Sequence, residues 1–319
     1  MDLLQVFRKR KEKKFLEDTQ LKTKDNTISF CDEKGNEMYT TKETWLHNIL
    51  LPDIKANYTN ADKLYSLLIS ALNDKYEKDI IEAGKQLYSI DTDKERSACI
   101  YAIILMKNNQ LDNAEYILKD AINKVGETGS LMTNLAKVYA DMYKDELKMK
   151  SLIRGLEIDP NQDNGLDWYL SIIKEEMGEE GYINALKQVS QFKNAWRAYL
   201  LLAKKELEQS NINNALAYYK TAFDQVEKLS YNMAVQISGD LGTHGYINKI
   251  IELIEPHFDV KTHGIAVGNN LIKANIDLGY YDKARKILDE LKLEYNPTWK
   301  KSLDFWDEKL YEISFKEQK

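Results

Sequence analysis

Proline and glycine are scarce in this 319-residue chain, at 4 and 14 residues. So few breakers argue against a fold of many short strands and turns, and leave room for long helices. Cysteine is scarcer still. Cys31 and Cys99 lie far apart, in no metal or redox spacing, and read as two reduced thiols rather than a disulfide framework. No apolar run approaches the roughly 20 residues that cross a bilayer. The first residues, Leu3, Leu4, Val6 and Phe7, precede the basic run Arg8-Lys9-Arg10, which is the reverse of a secretory signal. A cytoplasmic location is therefore expected. Basic residues are not in excess either: 45 Lys and Arg against 51 Asp and Glu leave a net charge of −6. Such a balance gives no general attraction to nucleic acid or to acidic membranes.

Familiar chemical motifs are also missing. No glycine arrangement cradles a phosphate, no ligand pairs have zinc spacing, and no nucleophile elbow occurs. The four histidines are His47, His244, His257 and His263. A metal site from the last three would require them to converge across a helix pair, whereas their loop-like surroundings read as exposed histidines. No catalytic residue, metal or cofactor is expected, and the chain is not expected to be an enzyme.

What the sequence does have is a period. Small residues recur at Ala71, Ala102, Ala136, Ala203 and Ser238, and twelve positions after each lies a second site: Ala83, Ala114, Lys148, Ala215 and Ile250. With Ala185 and Ala284 the second series steps by 31, 34, 37, 30, 35 and 34, a mean of 33.5 residues. Two helices of about a dozen residues cannot bury their apolar faces alone, so such pairs must stack on one another. Small side chains at the crossing let the helix axes approach to about 8–10 Å. Larger residues fill the space beside them: Tyr101, Leu105 and Leu118, then Leu135, Tyr139 and Leu152, then Leu202, Tyr219 and Phe223. Breakers mark the turns at Asn108-Asn109, Ser210-Asn211, Gly245 and Gly279. The 37-residue step suggests an insertion near Gly178-Glu179-Glu180-Gly181.

Leu135-Ala136-x-x-Tyr139 followed by Gly155-Leu156-Glu157-Ile158-Asp159-Pro160 resembles the tetratricopeptide-repeat (TPR) pattern. So do Asp112-Asn113-Ala114 with Ala121, Asn213-Asn214-Ala215 with Ala222, and Leu278-Gly279-Tyr280-Tyr281-Asp282-Lys283-Ala284. Lys148 and Ile250 depart from the small residue of that pattern. The whole chain is also similar to a group of bacterial TPR proteins. The resemblance implies an all-α fold, a right-handed α-α superhelix (TPR solenoid), with about seven TPR-like helix pairs over residues 60–297.

Residues 1–26 read as a charged tail, whose amphipathic start (residues 1–14) could rest on a membrane surface or dock in a partner's groove. Residues 27–59 read as a small β-hairpin around Gly35, then a capping helix from Lys42 to Leu51 ended by Pro52. Residues 298–319 read as a C-terminal capping helix, in which Trp299, Leu303, Phe305, Trp306 and Leu310 cover the last pair.

The first helix of each pair lines the inner face of such an array. Mapped onto that face, Arg96, Asn134, Lys137, Arg197, Lys204, Asn269, Asn270 and Lys273 form a candidate partner-binding groove. In some TPR proteins Asn and Lys or Arg side chains there clamp a peptide's terminal carboxylate, and Asn134 with Lys137 and Asn269-Asn270 with Lys273 come nearest to that here. Trp168 is an aromatic that reads as core or as a binding anchor. The segment Ser238-Gly239-Asp240-Leu241-Gly242-Thr243-His244-Gly245 reads as tight packing or as a notch in the groove, with Asp240 and His244 as its polar groups. The expected function is a protein–protein interaction scaffold holding a peptide or partner protein. The alternatives are a self-assembling structural protein or a metal-dependent enzyme or regulator.

Overall fold

The computed structural model describes residues 27–31, 37–294 and 296–317. The charged tail with its basic cluster and the hairpin turn at residues 32–36 fall outside the described residues. The chain divides into two compact units, residues 1–152 and 153–319.

Unit 1 opens with strands β1 (Thr27–Cys31) and β2 (Glu37–Thr41), antiparallel, with Thr27 opposite Thr41 and Cys31 opposite Glu37. Thr41 Oγ1 accepts the Thr44 N–H at 3.2 Å and so starts helix α1 (Lys42–Trp45). Pro52 does not end this helix as the sequence suggested. A π-helical stretch, Leu46–Leu50, carries it into α2 (Leu51–Ala56). In that wider turn the Leu51 N–H reaches back to the Leu46 carbonyl, and Pro52 falls in the first turn of α2, where a missing N–H breaks no ladder bond. Leu46, Leu50 and Ile54 pack on Leu64 and Leu68, and Tyr76 Oη donates to the Lys42 carbonyl at 2.9 Å, so the hairpin and short helices cap the first pair.

Unit 1 continues with α3 (Ala61–Asn73), α4 (Ile81–Ile90), α5 (Lys94–Lys107), α6 (Leu111–Val125) and α7 (Gly129–Asp141). Helix α8 (Asp145–Ile158) runs through the division between the units. Unit 2 holds α9 (Asp163–Val189), α10 (Trp196–Glu208), α11 (Ile212–Asp224), α12 (Tyr231–Thr243), α13 (Ile247–Ile254), α14 (Val260–Asp277), α15 (Tyr281–Leu293) and α16 (Lys300–Glu317). Within the units, first helices pack on their own second helix and on the next first helix, as α5 does on α6 and α7, and α12 on α13 and α14. Many first helices are started by side chains, though α9 and α10 are not. Asn60, Asp93, Thr128, Ser230 and Asp259 each accept the N–H three residues on.

Second helices are started by a turn that repeats. Lys75, Asn109, Tyr143, Gly178, Ser210, Gly245 and Gly279 all have φ between 57° and 80°, at steps of 34, 34, 35, 32, 35 and 34 residues. After six of them the next N–H reaches back five residues: Tyr76 to Ala71, Gln110 to Leu105, Lys144 to Tyr139, Asn211 to Glu206, Tyr246 to Leu241 and Tyr280 to Asn275, at 2.8–2.9 Å. This is the Schellman closure, which satisfies a carbonyl left open by the ending helix. A side chain at such a φ strains the backbone by about 1–2 kcal/mol. Ser210 is exposed, and its replacement by glycine should raise unfolding stability by about 0.5–1 kcal/mol while Ser210→Ala leaves it unchanged. Urea titration of the two variants checks this.

At Gly178 (φ 69°, ψ −161°) the chain folds back within α9. Ile173 Cγ2 lies 3.4 Å from where a Cβ on Gly181 would stand, whereas eight residues of straight helix span about 12 Å. The segment read as an insertion is thus the hinge of a helix pair.

Side chains at the crossings are buried as their size requires: Ala71, Ala102, Ala114, Ala136, Ala203, Ala215 and Ala284 are wholly covered, and Ala83, Ala185, Ser238 and Ile250 nearly so. Lys148 is the exception, half-buried and 2.6 Å from Asp145. A close approach between paired helices is at Gly268 of α14, where an added Cβ would stand 2.6 Å from Leu291 Cδ1 of α15. In α16, Leu303, Trp306 and Leu310 turn inward and cover the last pair. Phe305 does not. It is 53% exposed, because one residue short of Trp306 it stands about 100° round the helix from the buried stripe.

Candidate functional site

The residues named from the sequence lie on first helices, except His244, which follows the end of α12, and most are already engaged. Arg96, in the first turn of α5, bonds through Nε to Asp91 Oδ2 at 2.7 Å and through Nη2 to Asp62 Oδ1 at 2.5 Å. Its guanidinium also lies over the Tyr65 ring at 5.2 Å, and the two aspartates raise its pKa. Arg197, in the first turn of α10, ion-pairs with Asp163 and meets Asp167 at 3.2 Å. Arg96 and Arg197 each sit 34 residues beyond the acid at the start of the preceding first helix, Asp62 and Asp163. They staple neighbouring pairs together.

Helix α14 shows the same pattern. Asn269 Oδ1 accepts from Ser302 Oγ and Trp306 Nε1 of α16, both at 2.8 Å. Asn270 Nδ2 donates to Ser238 Oγ of α12 at 2.8 Å. Lys273 is neutralised by Asp277 one turn on. These three side chains do not converge on a common point. Asn269 faces the capping helix because an indole N–H that is largely buried must find an acceptor. Trp168 is half-buried, while its neighbour Tyr169 is in the core.

Around α12 two polar groups are left incomplete. Asp240 Oδ1 is 3.9 Å from Lys204 of α10, while Oδ2 is buried without a donor. Burial pushes the Asp240 carboxyl above its ordinary range, and Lys204 opposes this. The Tyr219 hydroxyl, wholly buried, also lacks a partner, and burial with the nearby Asp240 charge raises its pKa. His244 Nδ1 donates to the Asp240 carbonyl at 2.8 Å. The segment is not tightly packed at its glycines: nothing lies within 4 Å of a Cβ position on Gly239, and Gly242 would meet only Ile250, at 3.6 Å. Ser238 Oγ turns back on its own helix and donates to the Ala234 carbonyl at 2.6 Å.

His263 is not exposed, contrary to the sequence reading. It is 2% exposed, accepts the Asp259 N–H through Nδ1 at 2.9 Å and donates from Nε2 to the Leu229 carbonyl at 3.0 Å. Both ring nitrogens are used to join two loops, which draws the ring inward. Among the described residues, no group of three His, Cys, Asp or Glu could hold a metal. None of the described helices is long and apolar enough to cross a membrane.

One place differs. On α7, Lys137 is half-buried and forms no ion pair among the described residues. Burial lowers its ammonium pKa, and only the Cys99 field acts the other way. One turn earlier, Asn134 donates to the Ser130 carbonyl at 2.9 Å, but its Oδ1 is buried with no donor. Cys99, facing them from α5, is pushed up to about 12 by burial and by the Glu95 charge, so it is a thiol and not a nucleophile. Residue type alone pointed to Asn134 and Lys137; that Cys99 joins them was not foreseen, though all three stand at the same depth of adjacent first helices.

No family model matches the chain, and no curated protein matches it. Among solved structures it is similar to Pseudomonas aeruginosa PilF, at 14% identity over 63% of this chain and 92% of that one, with a TM-score of 0.33. It is similar to the C-terminal part of a TPR repeat-containing protein from Cytophaga hutchinsonii, at 14% identity over 75% and 98% of the two chains, with a TM-score of 0.35. A third similarity is to the APC/C hetero-tetramer Cut9-Hcn1, at 15% identity over 76% of this chain and 48% of that one, with a TM-score of 0.35. Helix pairs of 34-residue period, closed by one recurring turn, make up the helical part of each unit, which is the architecture that the tetratricopeptide resemblance implied.

Proposed function

We propose that the chain is a protein-interaction scaffold that receives an acidic stretch of a partner on the first helices α5 and α7. One observation carries this reading: of the cations named for that face, Lys137 is the one without a carboxylate among the described residues. Arg96, Arg197, Lys204 and Lys273 each have a carboxylate, and Lys137 has none. A half-buried ammonium without a counter-ion destabilises the free protein and would be stabilised by an incoming anion. Asn134 offers an adjacent carbonyl oxygen to a partner N–H once its amide turns outward.

A labelled Asp/Glu-rich peptide should bind the wild-type chain and lose at least tenfold in affinity to Lys137→Glu; equal binding by that variant rejects the site. Lys137→Met should also lose the peptide, yet gain about 1 kcal/mol of stability at neutral pH. The sign follows from linkage. The folded pKa lies below the unfolded one, so the charged form is disfavoured by folding at neutral pH. That penalty fades as pH rises through the folded value towards the unfolded one, and the gain from methionine should fade with it. A stability loss in Lys137→Met would instead mark the lysine as a structural prop.

A further inference from the structure

We infer that the outward face of α16 is a self-association surface on which a second copy of this chain packs antiparallel. Helix α16 closes unit 2, packing on α14 and α15 through Leu303, Trp306 and Leu310. Phe305, Tyr311 and Phe315 stand on the outside, exposed by 53%, 68% and 52%. Lys309 covers part of the Phe305 ring, at 5.9 Å from its centre.

Charge selects the occupant. Several charges of α16 are committed: Asp307 bonds Arg285 of α15 at 2.7 Å and pairs with Lys292, and the exposed Lys300 pairs with Asp304 at 2.6 Å. On the outer stripe, Lys301, Glu308 and Glu312 are exposed, and no ion pair of theirs occurs among the described residues. The sign changes along the stripe, with Lys301 at its start and the glutamates beyond its middle. A reversed copy sets Lys301 across from Glu312 in both directions. A parallel copy sets like against like. The face is therefore complementary to itself under a two-fold axis, which is what an isologous dimer requires. Eighteen residues of helix are only about 27 Å long, less than the surface of a standard-sized interface, so association should be micromolar.

Sedimentation equilibrium of the full chain from about 5 to 500 µM, low and high in salt, tests this. The weight-average mass should climb from 37.1 kDa towards twice that value, less steeply in high salt. Phe305→Lys with Tyr311→Lys should stay monomeric at all concentrations with an unchanged thermal midpoint. Lys301→Glu should weaken the dimer at least fivefold, and adding Glu312→Lys should restore it. A wild-type chain that remains monomeric at 500 µM overturns the inference, as does a dimer indifferent to both sets of substitutions. Loss through the lysine pair without rescue by the charge exchange overturns the antiparallel pairing.

Discussion

Arg96→Met should destabilise unit 1 by about 3 kcal/mol, although Arg96 lies near the surface. The reason is Asp91, whose side chain is 1% exposed. Arg96 supplies two of its hydrogen bonds, at 2.7 and 3.2 Å; without them the carboxylate keeps only the Asp93 N–H at 3.0 Å. A buried carboxylate stripped of its cation loses far more than an exposed pair does. Asp62, 85% exposed, is such an exposed partner, and Asp62→Asn should cost less than about 1 kcal/mol. Arg96→Met combined with Asp91→Asn should recover most of the loss, because the stranded charge is then gone. Urea unfolding followed by circular dichroism reads all three. A change below 1 kcal/mol in Arg96→Met would show that water reaches Asp91 and that the staple is ornamental.

The second large effect is expected in unit 2. His263→Phe keeps the ring's shape and its stack on Phe258, 6.0 Å away, but removes both nitrogens. The Leu229 carbonyl and the Asp259 N–H then lose their partner, each at a cost of about 1–3 kcal/mol, so a loss of about 3 kcal/mol is expected. His257→Phe makes the control. That ring is exposed and meets only the edge of the core through Phe223 at 5.6 Å, so replacing it should change little. Equal effects of the two substitutions would mean that the loops at Leu229 and Asp259 are held by something other than the imidazole.

The period was legible because close helix crossings demand alanine, and alanine at a fixed interval survives in the sequence as a signal. Turns carrying Gly or Asn were legible for the same kind of reason. Lys75 and Tyr143 occupy the same left-handed position without a residue type that announces it, so two of the turns were silent. Gly178 announced itself but was mistaken for the edge of an insertion, since a one-residue hinge leaves no polar loop to read. Pro52 misled because proline usually stops a helix, and the π-turn that accommodates it has no composition of its own.

At the site, residue types on the right helices were legible and their commitments were not. A signal for the staples did exist: Asp62 and Arg96, and Asp163 and Arg197, differ by one period. No comparable rule ties Asn269 to Trp306, which depends on how the final helix is rotated. The isolation of Lys137 is a property of everything that fails to reach it, and no local motif records that.

The bonds that join successive helix pairs bear on how the chain acquires its shape during synthesis. Tyr76 to Lys42, Arg96 to Asp62, Asn270 to Ser238 and Trp306 to Asn269 reach back 34, 34, 32 and 37 residues. Each pair thus finds its neighbour as soon as it leaves the ribosome, without waiting for a distant segment. Native structure can grow by accretion, one hairpin at a time, and a chain stalled midway would already carry a finished and usable beginning.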